Sequence, residues 1–228
     1  MCEGKISLDI NDAYRYLGGK GTPDDAECRE LEAAAHAVIS GVSPRAIQRS
    51  FPLRRANGLY ISGTTIKLEG KAMEALLHSS HSCILLCVTI GNEIEAMLRK
   101  WQVKDIAFAA LLDACASAAV ENLCEQISKK LDDEYTARGL YLTDRFSPGY
   151  GDFPISIQRE FCTVLDTARK IGVCVSDSGI MIPRKSISAI IGISEQPQKH
   201  MDTGCVDCRL LDGCKFREGG LTCYGQAV

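Results

Sequence analysis

This sequence has little charge of one sign and no long hydrophobic run. Its 228 residues carry a net charge of only −3, so there is no electrostatic case for a nucleic-acid or anionic-membrane partner, and neither is expected. No stretch approaches the roughly 18–20 uninterrupted apolar residues that span a bilayer. The opening residues, Met1 to Ile6, lack the apolar segment of a secretory signal. A cytoplasmic protein is expected, in a compartment where disulfides are rare.

What is present is an ordinary globular composition, 46% hydrophobic and 24% charged, enough for one generous domain. The twelve cysteines are therefore read as buried thiols plus metal or cluster ligands, not as a disulfide framework. Cys28, Cys83, Cys87, Cys115, Cys124, Cys162 and Cys174 fall inside apolar periodic segments. Cys205, Cys208, Cys214 and Cys223 cluster near the C-terminus, spaced C-x2-C-x5-C-x8-C among glycines. Four thiolates suit tetrahedral zinc or an iron–sulfur cluster, and a redox pair or plain free thiols are the remaining readings. The wide second half departs from paired zinc knuckles and favours a [4Fe–4S] cluster over zinc. The expected division is an α+β domain over residues 1–200 and a Cys-rich metal- or cluster-binding tail over 201–228.

Along the chain, residues 5–10 alternate as an edge strand does, and Thr22 to Asp25 supplies helix-start chemistry for a helix reaching about Ser40. Residues 44–67, with turn signals at Asn57–Gly58 and Ser62–Gly63, read as a small antiparallel meander. A short helix over 70–78 precedes a continuous apolar run over 81–90, which suits a strand buried on both faces. A helix from Gly91 to Trp101 leads to the longest helical pattern, 105–134, whose apolar stripe is rich in alanine. Asp113, Ser117, Glu121 and Glu125 form a second row on that helix at four-residue spacing, and on residue type alone the row reads as a solvated face. A helix over 157–170 and a strand over 186–192 complete an α+β fold, a twisted, mainly antiparallel sheet flanked by helices.

The segment Asp144 to Pro154 is different in kind. Pro148, Pro154, Gly149 and Gly151 around one arginine preclude a regular helix or central strand, so an ordered loop is expected. Arg145 offers a planar, permanently charged fork for a carboxylate or phosphate, and Pro148–Gly149 lets the backbone approach a ligand. The bland alternative is a structural turn in which Arg145 pairs with Asp144 or Asp152.

Arg145, Gly149 and Tyr150 resemble the Arg-x-x-x-Gly-Tyr signature of the activation domain of cobalamin-dependent methionine synthase. Gly172, Asp177–Ser178, Met181 and Pro183, and Ser186 and Ser188 follow in the order that family shows, and Thr89 to Glu93 is similar to a stretch of its stand-alone relatives. The resemblance covers roughly residues 80–195 and is strongest over 138–192. It implies S-adenosylmethionine held by Arg145 with Ser147, Pro148, Gly149, Tyr150 and Asp152, and Tyr150 placed by the corrinoid as the catalytic positioning residue. It also implies Ser186 and Ser188 beside a flat ligand. The family's acid for the ligand's amino group falls at Ser117 here, with Asp113 and Glu121 one turn to either side. A tyrosine that the family has beyond the last strand has no counterpart.

None of His36, His78, His81 and His200 has an aspartate two residues before it, as the family's corrinoid-binding module requires, and the chain is too short for the catalytic barrels. The resemblance thus implies a reactivation component working in trans on a corrinoid-binding protein or on a methionine synthase lacking its own activation domain. Cobalamin would be carried by that partner, and a flavodoxin- or ferredoxin-type donor would supply the electron. The alternative is a corrinoid-protein cap or iron–sulfur electron-transfer adaptor that makes no use of S-adenosylmethionine; a regulatory sensor of that ligand is a third reading.

Overall fold

A computed structural model of the chain describes residues 6–198. The first helix, α1 (Ile10–Tyr16), is capped by Asp9, whose carboxylate accepts from the Asn11 amide. The expected edge strand over 5–10 does not form. Ile6 to Asp9 is irregular and places Ile6 in the core, with Leu8 packed against it. Helix α2 (Asp25–Gly41) begins at a capping box in which Asp24 accepts from Glu27 N while Glu27 accepts from Asp24 N. The cap is thus Asp24 and not Thr22, because only Asp24 has a glutamate three residues on.

The meander follows as β1 (Arg45–Arg55), β2 (Leu59–Ile61) and β3 (Lys67–Leu68). After α3 (Lys71–Leu76) and β4 (Ser82–Thr89) come α4 (Asn92–Lys104) and α5 (Ile106–Thr136). The remaining elements are β5 (Tyr141–Leu142), α6 (Gln158–Leu165), α7 (Thr167–Ile171), the hairpin β6 (Cys174–Val175) and β7 (Met181–Ile182), and β8 (Ser186–Ser194). The helix expected over 157–170 is broken at Asp166, which is left-handed (φ 55°) and caps the end of α6. An aspartate tolerates that conformation better than most residues, so no glycine or proline announces the break.

The main sheet runs β3-β2-β1-β4-β8-β5 with every pairing antiparallel. Both faces of its centre are covered, which is why β4 is apolar from Cys83 to Val88. Ile84, Leu86 and Val88 face α1, α2, α4 and α5, whereas Cys83, Leu85 and Cys87 face α3, α6 and α7. Helix α5 is long and apolar enough to cross a membrane by composition, but half of its most apolar window is buried in the first of these cores. Five cysteines, at 83, 87, 115, 124 and 162, are buried free thiols as expected, while Cys174 is exposed.

Candidate functional site

The Arg145 loop is fastened to the sheet by backbone bonds. Phe146 and Ile190 exchange hydrogen bonds at 2.9 and 2.8 Å, and Thr143 N donates to Gly192 O at 3.1 Å while Gly192 N donates to the Thr143 hydroxyl oxygen at 2.8 Å. Inside the loop Gly149 N donates to Phe153 O at 2.9 Å and Tyr150 N to Ser147 O at 3.2 Å. This closure needs positive φ at Gly149 (95°), which a side chain resists. Pro148 and Phe153 are buried beneath, so the exposed Tyr150 ring stands on a braced turn.

Arg145 reaches across to α5, with its two terminal nitrogens at 3.1 Å from Glu121 and 3.2 Å from Glu125. Burial works against the guanidinium's charge, but Cys124, Glu121 and Glu125 more than offset it and raise its pKa above the ordinary value. Burial likewise pushes the neighbouring Cys124 thiol up to about 11. The row on α5 is therefore more than a solvated face, since its acids are partly exposed but ion-paired. Its upper half holds Arg145, and its lower half holds Lys185, whose Nζ lies 2.9 Å from Asp113 Oδ1, 2.8 Å from Ser117 Oγ and 3.1 Å from Asp113 O.

Eight residues of helix, about 12 Å, separate Asp113 from Glu121. Of the two acids flanking Ser117, only Glu121 is thus brought to Arg145. Lys185 is nearly buried and fully partnered, and it ties the turn before β8 to α5. Replacing it with alanine is expected to cost about 1–3 kcal/mol, since charge-assisted hydrogen bonds are lost while the half-exposed Asp113 recovers water. Urea unfolding checks this as a lower midpoint with an unchanged slope.

Asp152 has a different job. Its carboxylate accepts from Lys71 N and Ala72 N, capping α3 from another part of the chain. A Cβ on Gly70 (φ 112°) would lie 2.7 Å from Asp152 Oδ1, so the glycine is what lets the carboxylate in. Asp152→Ala is expected to cost about 1 kcal/mol, the usual value of such a cap, read as a melting point lower by about 2–4 °C.

Ser186 and Ser188 are buried. Ser186 donates to Pro183 O at 2.7 Å and lies 2.9 Å from Thr89 Oγ1, and Ser188 exchanges hydrogen bonds with the buried Gln158 amide at 2.8 and 3.0 Å. Their hydroxyls are satisfied within the protein, with α6 over Ser188.

Tyr16, at the end of α1, went unnoticed in the sequence. Partial burial, then the charges of Glu121 and Tyr150, hold its phenol well above its ordinary pKa, although 43% of the residue still meets solvent. Beyond Tyr150 the surface turns apolar, with Ile155, Ile180 and Ile182 exposed and Ile155 packed against both Gly149 and Gly179.

The arrangement presents one cationic fork, an acid within its reach, two phenol rings and an apolar rim. A family model described as the vitamin B12-dependent methionine synthase activation domain matches residues 77–207, more than half of the chain. The chain belongs to this family. The activation-domain match takes in α5, the Arg145 loop and β8, and leaves out Tyr16. The fold is similar to a crystal structure of the MetH reactivation domain bound to AdoHcy, at 16% identity and a TM-score of 0.65, covering 95% of this chain and 82% of that one. No curated protein matches. Among the described residues no group of three or more histidine, cysteine or acidic side chains is placed to hold a metal ion. The four-cysteine tail of this activation-domain protein lies outside the described residues.

Proposed function

We propose that the chain is a reactivation component that binds S-adenosylmethionine between α5 and the Arg145 loop and supports reductive methylation of cob(II)alamin on a separate corrinoid protein. The observation that carries this reading is Arg145 paired with Glu121, within a chain of the activation-domain family. A methionyl group brings one carboxylate and one ammonium, and Arg145 and Glu121 are the matching pair. Binding exchanges ion pairs: the ligand's carboxylate takes the fork while its ammonium takes Glu121. The neighbouring solved structure is of a reactivation domain bound to AdoHcy, the demethylated form of the same ligand, which supports the choice.

In the transfer, the sulfonium methyl passes to cobalt as one electron arrives, leaving S-adenosylhomocysteine and methylcobalamin. The protein's part is positioning, with no general acid or base. Trans action fits the four histidines, none of which has the Asp-x-His pattern of a corrinoid ligand. The tail cysteines would hold a [4Fe–4S] cluster or zinc, and a flavodoxin- or ferredoxin-type carrier would be the donor.

Calorimetric titration with S-adenosylmethionine tests the reading, with micromolar binding as the expected result. One observation favours the adaptor reading: the Arg145 fork is already filled by two acids. An adaptor shows no rise in melting temperature with S-adenosylmethionine yet carries a redox-active cluster, and that outcome would replace the proposal.

A further inference from the structure

Strand β1 presents a free edge. Leu53 N donates to His81 O across the β1–β4 ladder, so by the alternation of an antiparallel pair Arg45, Ile47, Arg49 and Phe51 turn their backbone groups toward β4. Ala46, Gln48 and Ser50 turn theirs away. On that side β2 pairs only with Leu53 to Arg55, and Pro52 O accepts from Ser62 N. Among the described residues no backbone group bonds the outward N–H or C=O of Ala46, Gln48 or Ser50. Gln48, Arg49 and Ser50 are exposed, whereas Ala46 and Ile47 pack against the two cores.

The edge is also basic. No acidic residue occurs between Glu32 and Glu69, although the whole chain has 29 acids and is net negative. Arg45, Arg49 and Arg54 make no ion pair among the described residues; Arg49 lies 4.7 Å over the Phe51 ring and Arg54 4.8 Å over Tyr60. Arg55 spends its charge on the carbonyls of Leu77, His78 and Ser80.

We propose that residues 46–50 of β1 accept an extended, acidic segment of a partner protein as an added strand. The three outward residues supply the ladder, and Arg45, Arg49 and Arg54 supply the charge that selects glutamate- or aspartate-bearing chains. The same arginines, doubled across a two-fold axis, repel a second copy of this edge, so the occupant is not another copy of the chain. The edge is separated from β8 and the Arg145 loop by β4, so the inference stands apart from ligand binding there.

The probe is a fluorescent peptide of alternating glutamate and valine, followed by anisotropy with the full chain at low and moderate salt. Binding is expected to weaken at least tenfold in Gln48→Pro, which deletes an N–H that is unbonded in the free protein. Arg49→Glu is expected to act similarly, with unchanged circular dichroism in both. A peptide N-methylated at alternate residues, which keeps its charge but cannot pair along one edge, should fail to bind. Equal binding by the methylated peptide, or no loss in Gln48→Pro, overturns strand addition in favour of plain charge attraction. Absence of peptide binding, or a stable dimer abolished by Gln48→Pro, overturns the proposal outright.

Discussion

Arg145→Ala is expected to weaken S-adenosylmethionine binding by about 1.5–3 kcal/mol, roughly 10- to 150-fold, the range of a lost charge-assisted hydrogen bond. The upper end is expected because the substitution does more than delete a contact. Arg145 pairs with both Glu121 and Glu125 and offsets one of their two negative charges. Without it, two carboxylates remain beside the place where the ligand's own carboxylate must sit. The cost to folding is small, since Glu121 and Glu125, though ion-paired, are already 41% and 69% exposed and regain water. A double-mutant cycle isolates the cause. Glu121→Gln should recover part of the loss in the Arg145→Ala background, because it removes the repulsion, while weakening binding by itself through the lost ammonium contact. Titration calorimetry on the four proteins gives the coupling term. Equal affinity in wild type and Arg145→Ala would sink the S-adenosylmethionine reading and leave the adaptor.

Much of the fold was legible because burial left periodic marks. The unbroken run at β4 signalled a strand covered on both faces, and both layers are there. The alanine-rich stripe of α5 signalled close packing, and Ala116 and Ala119 are fully buried. The α6–α7 break was not legible, since Asp166 adopts left-handed backbone without the glycine that usually advertises it. In the site, Arg145 and the α5 acids could be read as types of chemistry, but their pairing could not. The row at four-residue spacing is the same pattern whether it faces water or a cation. Lys185 decides its lower half from 72 residues away along the chain. Tyr16 carried no local signal: only the packing of α1 beside α5 lets the charge of Glu121 act on it. The two serines of β8 illustrate the converse. Alternation put them on one face, and the residue covering Ser188, Gln158, is 30 positions earlier on another element.

Phe153→Ala is expected to have the largest effect on stability, about 3–5 kcal/mol, because a fully buried aromatic leaves a cavity that its surroundings fill only in part. For a chain of this size the melting point should fall by roughly 6–20 °C. Phe153 is 1% exposed, sits in the core beneath α3 and α6, and lies 6.3 Å from the Phe146 ring. Its carbonyl also accepts from Gly149 N, and its amide donates to Tyr150 O. The ring that anchors the loop to the core therefore belongs to the residue whose backbone sets the turn carrying Tyr150. Loss of the anchor should reach the site as well: affinity for S-adenosylmethionine is expected to drop even at temperatures where the variant is folded, because the loop must then be ordered on binding. Phe153→Leu, which refills most of the volume, should restore the greater part of both properties. Tyr150→Ala is the control. Its ring is 57% exposed, so stability should change by less than about 0.5 kcal/mol. If Phe153→Ala lost stability but bound the ligand as tightly as the wild type, the loop would be held by its bridge to β8 alone, and the core beneath it would have no part in shaping the site.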